Sequence, residues 1–82
     1  MVTLRQARIE KLLTQRDLAV RAGISLSTVH LTETGQTIPR LMAVRKIAAA
    51  LDVEPASIAE FAEAIRWRSG RPRNDETRRQ RN

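Results

Sequence analysis

The sequence predicts an all-α, five-helix domain followed by a disordered, basic C-terminal tail. Three observations carry this expectation. Apolar residues recur at helical spacing in five segments, and none alternates as a half-buried strand would. Aromatic residues, which strands favour, are limited to Phe61 and Trp67. From Ser69 onward the chain reads SGRPRNDETRRQRN, without a large apolar side chain, and cannot bury enough surface to order itself. The expected organisation is one domain over residues 1–68 and an arginine-rich tail over 69–82.

The first helix is predicted over residues 2–11, with Thr3 as its N-cap, Leu4, Ala7 and the stem of Arg8 on one side, and Leu12 and Leu13 at its end. Thr14 opens the second through TQRD, a capping-box-like start in which Asp17 stands for the usual Glu or Gln and complements the N-terminal dipole. Gly23 ends it, because glycine takes the left-handed conformation without penalty. Ser25 is placed to cap a third helix over 26–34, which stops at Gly35. After the loop QTIPR, with Pro39 near the helix start, a fourth helix carries the stripe Leu41, Val44, Ile47, Ala48 and Leu51, flanked by Arg45 and Lys46. Pro55 suits the first turn of a fifth, whose stripe is Ile58, Phe61, Ala62 and Ile65.

A chain of 82 residues buries only about 60% of its unfolded surface, so its stability is thin, and association with a second copy is one way to add to it. With no cysteine, neither a disulfide framework nor a thiolate zinc site is available, which fits a reducing cytoplasm. No apolar run approaches the roughly 20 residues of a membrane span, and the charged start MVTLRQARIEKLL is unlike a signal peptide. The expectation is a soluble, unexported, cytoplasmic protein without a membrane role.

Formal net charge is +6, which suggests a polyanionic partner such as nucleic acid. Its distribution is uneven. Residues 1–65 hold eight cations against seven acids, whereas residues 66–82 hold seven arginines against Asp75 and Glu76. A domain so balanced must place its few cations well to touch phosphate. The tail is either a solvated end or a binder of acidic surfaces.

Between the second and third helices lie only Gly23, Ile24 and Ser25, so the two cannot run antiparallel for long and must cross steeply. A steep crossing through a short glycine turn is the helix-turn-helix arrangement, whose second helix can enter a major groove about 12 Å wide. Helical hairpins with no nucleic-acid role share the glycine turn, so spacing alone leaves both readings open.

Further residues narrow the choice: LRQAR at 4–8, LTQRDLAVRAGIS at 13–25, STV at 27–29, Glu33 and Gly35, Pro39, and KIAAALDVEP at 46–55. From residue 4 to residue 58 the chain resembles the phage repressor and Cro-type helix-turn-helix domain, the bacterial group also called the xenobiotic-response-element family. The resemblance implies a compact, lambda-repressor-like helix-turn-helix domain whose third helix, 26–34, is the recognition helix. It places Leu26, Ser27, His30 and Leu31 against base edges and Val29 in the core. It further implies that Gln15 contacts the DNA backbone, that Arg40 reaches it from the loop before the fourth helix, and that Arg8 and Glu33 form a partly buried salt bridge. Two departures stand out. Many relatives carry Gln, Arg or Asn at the base-facing positions, and a larger apolar residue is usual where Thr32 stands.

A helical projection agrees on the outer face: Ser25, Thr28, Val29 and Thr32 share one side, and Leu26, Ser27, His30, Leu31 and Thr34 the other. Leucine cannot hydrogen-bond to a base but can meet the C5-methyl of thymine, leaving polar contacts to Ser27 and His30. Two alternatives remain: the leucines contact a protein partner, or rotation tucks Leu31 inward and turns Thr32 out. The N–H groups beside Thr14 can meet phosphate, and Gln36 and Thr37 can donate to the same strand as Arg40. In the tail, residues 68–73 (RSGRPR) resemble the Gly-Arg-Pro core of AT-hook segments, which enter a narrow minor groove.

The predicted function is sequence-specific double-stranded DNA binding by a bacterial or phage transcriptional regulator, acting in the nucleoid as a homodimer on a two-fold operator. Phe61, Ile65 and Trp67 are the candidate dimer contact, or they close the monomer core. The alternative function is a protein-interaction module, such as the antitoxin of a toxin-antitoxin pair or an adaptor using the basic tail. An enzyme is not expected, since one His, no Cys and no paired acids in a recognisable motif supply no nucleophile with its base. Neither cofactor nor metal is expected, because His30 has no companion ligand.

Overall fold

The computed structural model describes residues 1–70; the tail predicted to be disordered, with its AT-hook-like arginines Arg71 and Arg73, lies almost wholly outside them. The described residues form five α-helices: α1 (Leu4–Glu10), α2 (Gln15–Ala22), α3 (Leu26–Glu33), α4 (Leu41–Leu51) and α5 (Ala59–Ser69), with a 3-10 turn at Pro55–Ser57 before α5. Helix α5 extends one residue past the expected boundary at residue 68. No strand occurs among the described residues, although Val2 and Ile58 form one parallel bridge.

Local chemistry sets most boundaries. Thr3 accepts from the Gln6 N–H while Gln6 returns the bond to the Thr3 N–H, at 3.1 and 2.8 Å. Thr14 and Asp17 repeat this reciprocal cap on α2, at 3.0 Å each way. Ser25 Oγ accepts from the Thr28 N–H at 3.1 Å and starts α3. Gly23 and Gly35, at φ +72° and +74°, take the left-handed conformation that closes α2 and α3.

Helix α1 ends earlier than its sequence pattern implies. Leu12 adopts φ +59° and donates to the Ile9 carbonyl at 2.8 Å, while Leu13 donates to that of Arg8 at 3.2 Å. This reversal satisfies the last carbonyls of the helix but throws the Leu12 side chain into solvent, 89% exposed. Leu12 therefore packs against nothing that α1 buries.

The core joins Leu4, Ala7, Leu18, Ala19 and Val29 to Val44, Ile47, Leu51, Ile58, Phe61 and Ala64. Helix α2 packs on both α3 and α4, and α5 closes the bundle beside α4 and the 3-10 turn. Val44, Ile47, Ala48 and Leu51 form the buried stripe of α4, but Leu41 is 52% exposed. It is the first residue of the helix, where periodicity continues but neighbouring elements do not.

The fifth helical segment is broken where one continuous helix was expected. The Val2 N–H donates to the Ser57 carbonyl at 3.3 Å and the Ala59 N–H to the Val2 carbonyl at 2.7 Å, which holds Ile58 extended between the 3-10 turn and α5. Glu60 Oε1 then accepts from the Leu4 N–H at 2.8 Å, tying the start of α1 to α5.

Thr32 is fully buried, and its Oγ1 has no hydrogen-bond partner among the described residues. A hydroxyl buried without a partner costs about 1–3 kcal/mol. Thr32→Val should therefore raise stability by about 1 kcal/mol, read as a melting temperature about 4–8 °C higher. A lower melting temperature would show that the hydroxyl has a partner of its own.

Candidate nucleic-acid interface

Helix α3 is the centre of the site, and its inner face fixes its seating. Val29 and Thr32 are both fully buried, so the helix is not rotated to turn Thr32 outward. The opposite face carries Leu26, Ser27, His30 and Leu31, all exposed. Leu26 and Leu31 retain 40% and 36% of their accessible surface and lie on one face of the helix. With Gln15 these four residues line one open depression of about 330 Å³.

Three residues from three helices hold α3 at its angle. Arg8 on α1 makes a two-pronged bond to Glu33 at the end of α3, Nε to Oε2 at 2.6 Å and Nη2 to Oε1 at 3.1 Å. Its remaining arm donates from Nη1 to the Leu13 carbonyl at 2.8 Å. The side chains are 10% and 4% exposed, so the bridge is shielded from water. Gln15 on α2 completes the network, its Nε2 donating to Glu33 Oε1 at 3.0 Å. Burial alone would raise the Glu33 carboxyl pKa, but the bonds from Arg8 and Gln15, with the charge of Arg8, outweigh it and hold the group below its ordinary value.

The start of α2 is partly occupied by its own side chains. The Thr14 and Asp17 N–H groups are engaged in the reciprocal cap, and the backbone and side-chain bonds from Thr14 lower the Asp17 pKa. The N–H groups of Gln15 and Arg16 precede the first intrahelical bond, from Leu18 to the Thr14 carbonyl, and have no partner within the helix. Any anion binding there falls to these two N–H groups.

A second and larger groove, about 750 Å³, lies between the end of α3, the loop 36–40, α4 and the end of α5. Gln36, Thr37 and Arg40 line it, and Leu31 lines both depressions. Thr28, assigned to the inner side from sequence, is half-buried and also faces this groove. Lys46 and Arg68 line it too, and neither is marked by the sequence as a backbone-contacting cation of this groove.

The proposed dimer contact divides. Phe61 is wholly buried in the domain's own core, the second of the two alternatives the sequence leaves open for it, and offers no surface to a second copy. Ile65 is half-buried, and Trp67 is 42% exposed beside the larger groove. No cluster of metal-ligating residues occurs among the described residues, and no helix there is long and apolar enough to cross a membrane.

Helices α2 and α3, packed on each other and joined through the three residues Gly23, Ile24 and Ser25, with one face of the second helix left exposed, form one supersecondary motif. The family model described as a helix-turn-helix domain matches residues 2–61. The chain belongs to that family. Its extent agrees with the phage repressor and Cro-type resemblance drawn from the sequence, and covers all of α1 to α4 and the start of α5. Comparison with curated proteins and with solved structures gave no significant match. As a helix-turn-helix domain the protein has the architecture of a DNA-binding regulator.

Proposed function

We propose that this helix-turn-helix domain, residues 1–68, reads double-stranded DNA in a sequence-specific manner as a bacterial or phage transcriptional regulator. The observation that carries the reading is the outer face of α3, exposed along Leu26, Ser27, His30 and Leu31 while its inner face is locked by Val29, Thr32 and the Glu33 network. In this mechanism α3 enters the major groove. Ser27 and His30 hydrogen-bond to base edges, and the two leucines meet thymine methyl groups. Gln15 and the free N–H groups at the start of α2 approach one stretch of phosphates, and Gln36, Thr37 and Arg40 approach another. Such contacts fix register, while the α3 side chains specify sequence.

One domain spans few base pairs, so useful specificity needs two copies on a two-fold operator with half-sites about 34–36 Å apart. Trp67 and Ile65 are the surface proposed for that association. Occupying such an operator with α3 in the groove would block transcription in the cytoplasmic nucleoid by repression, with no catalytic step of its own.

Enrichment of random duplexes on the purified protein tests the proposal. The expected outcome is a site with two-fold symmetry and thymines at fixed positions. Replacing one of those thymines with uracil removes a single methyl and should weaken binding about fourfold. Unchanged affinity for the uracil duplex would rule out the leucine contacts. A second reading, a protein-interaction module such as an antitoxin, is favoured by Ile38, Met42 and Trp67, exposed beside Leu31 around the larger groove. It is supported if no duplex is enriched and a stoichiometric protein partner is recovered.

A further inference from the structure

Arg68 is the next-to-last residue of α5 and makes two contacts far away in the sequence. Its Nε donates to the Pro39 carbonyl at 3.0 Å and its Nη2 to the Ile38 carbonyl at 3.1 Å. The guanidinium carbon lies 5.5 Å from the centroid of the Trp67 ring, within the range of a cation–π contact. Two successive carbonyls are thus gripped by one planar fork that is itself backed by an aromatic ring.

Those carbonyls belong to the loop that presents Gln36, Thr37 and Arg40. The loop has little else to hold it. Among the described residues no backbone–backbone hydrogen bond involves residues 37–39, and Arg40 begins α4 without a side-chain cap. Its other anchors are the Gln36 N–H on the Leu31 carbonyl at 2.9 Å, the Gln36 Nε2 donating to Thr34 Oγ1 at 2.8 Å, and Pro39, which is buried.

We propose that Arg68 is a positioning residue for DNA binding: it sets the path of the loop 36–40, and so the placement of Thr37 and Arg40 against the backbone, without contacting phosphate itself. The inference rests on the DNA-binding reading above. It explains why an arginine stands here. Lysine offers a point charge on a flexible stem, whereas the guanidinium fork spans adjacent carbonyls in a fixed plane.

The test compares wild type with Arg68→Ala and Arg68→Lys, each in the full chain, on the duplex enriched by wild type, across a salt series. Melting curves confirm folding, and amide hydrogen exchange reports on the loop. Both variants should weaken binding about tenfold, as expected for losing charge-assisted bonds to the loop. The slope of log affinity against log salt should stay within about 0.3 of wild type, because no phosphate contact is lost. Exchange should quicken at the Gln36 amide, whose bond to the Leu31 carbonyl anchors the loop, while the amides within α3 keep their protection.

A charge acting directly on DNA would behave differently. Arg68→Ala would flatten the salt slope by about 0.9 and Arg68→Lys would restore both slope and affinity, and that pattern overturns the proposal. Wild-type affinity in both variants, or unaltered exchange in the loop, overturns it as well. If wild type itself enriches no duplex, the DNA-binding reading fails and takes this role with it, an outcome recognisable before any variant is made.

Discussion

Replacing Glu33 with Ala should lower the melting temperature by about 12 °C or more and weaken DNA binding at the same time. The size follows from the geometry of the bridge. Arg8 gives two arms to Glu33 and a third to the Leu13 carbonyl, and both side chains of the pair are nearly sealed from water. Removing the carboxylate leaves a buried guanidinium with one partner, a situation that costs about 3–5 kcal/mol. In a domain of this length each kcal/mol shifts the midpoint by about 4–8 °C. Gln15 also loses its acceptor, so the start of α2 is released together with the end of α3. Thermal melts followed by circular dichroism read the first effect, and titration of the enriched duplex reads the second. An unchanged midpoint would mean that the bridge does not hold the fold together.

Acid should act through the same carboxylate. Because the Glu33 pKa is lowered in the folded state, its contribution is fully present above the ordinary glutamate value of about 4.3 and is lost as pH falls through the lower folded value. The sign follows from proton counting: in that window the unfolded chain binds more protons than the folded one. Glu33→Gln should therefore flatten the acid limb of a stability–pH curve. Asp17, also lowered but exposed, leaves a smaller residual slope of the same sign.

The second large effect is expected at Phe61. Truncating a fully buried phenylalanine to Ala costs about 3–5 kcal/mol, and small domains hold only about 5–15 kcal/mol in total. Phe61→Ala should lower the melting temperature by about 12 °C or more, with a midpoint independent of protein concentration. Sedimentation combined with circular dichroism distinguishes this from a dimer contact, for which the variant would keep its helical signal and become monomeric.

The contrast between these two residues shows what could be read in advance. Thr3, Thr14, Gly23 and Ser25 act within three or four residues of themselves, and their caps were legible from sequence. So was the stripe Val44, Ile47, Ala48 and Leu51, since helical period and burial coincide along the middle of α4. The stripe on α5 was visible too, but an amphipathic face does not say which surface covers it, and Phe61 turned out to face the domain's own core. Nothing local marks Ile58 as other than helical; its extended conformation is imposed by Val2. The role of Arg68 is hidden for a similar reason: its partners, Ile38 and Pro39, lie about thirty residues away. For the site, the exposure of Leu26 and Leu31 followed from projecting α3 at its helical period. The Gln15–Glu33 bond needed the crossing of α2 and α3 to bring the two together.

The pairing of Val2 with Ser57 and Ala59 bears on how the chain is made. Translation releases α1 first, yet the groups that satisfy its leading backbone, including the Glu60 carboxylate, are synthesised more than fifty residues later. Until that stretch has left the ribosome, Leu4 and Ala7 have no lid and the nascent segment exposes the apolar faces of four helices. The domain therefore closes in one late event, and a ribosome-bound chain halted before residue 61 should be sensitive to protease along its whole emerged length.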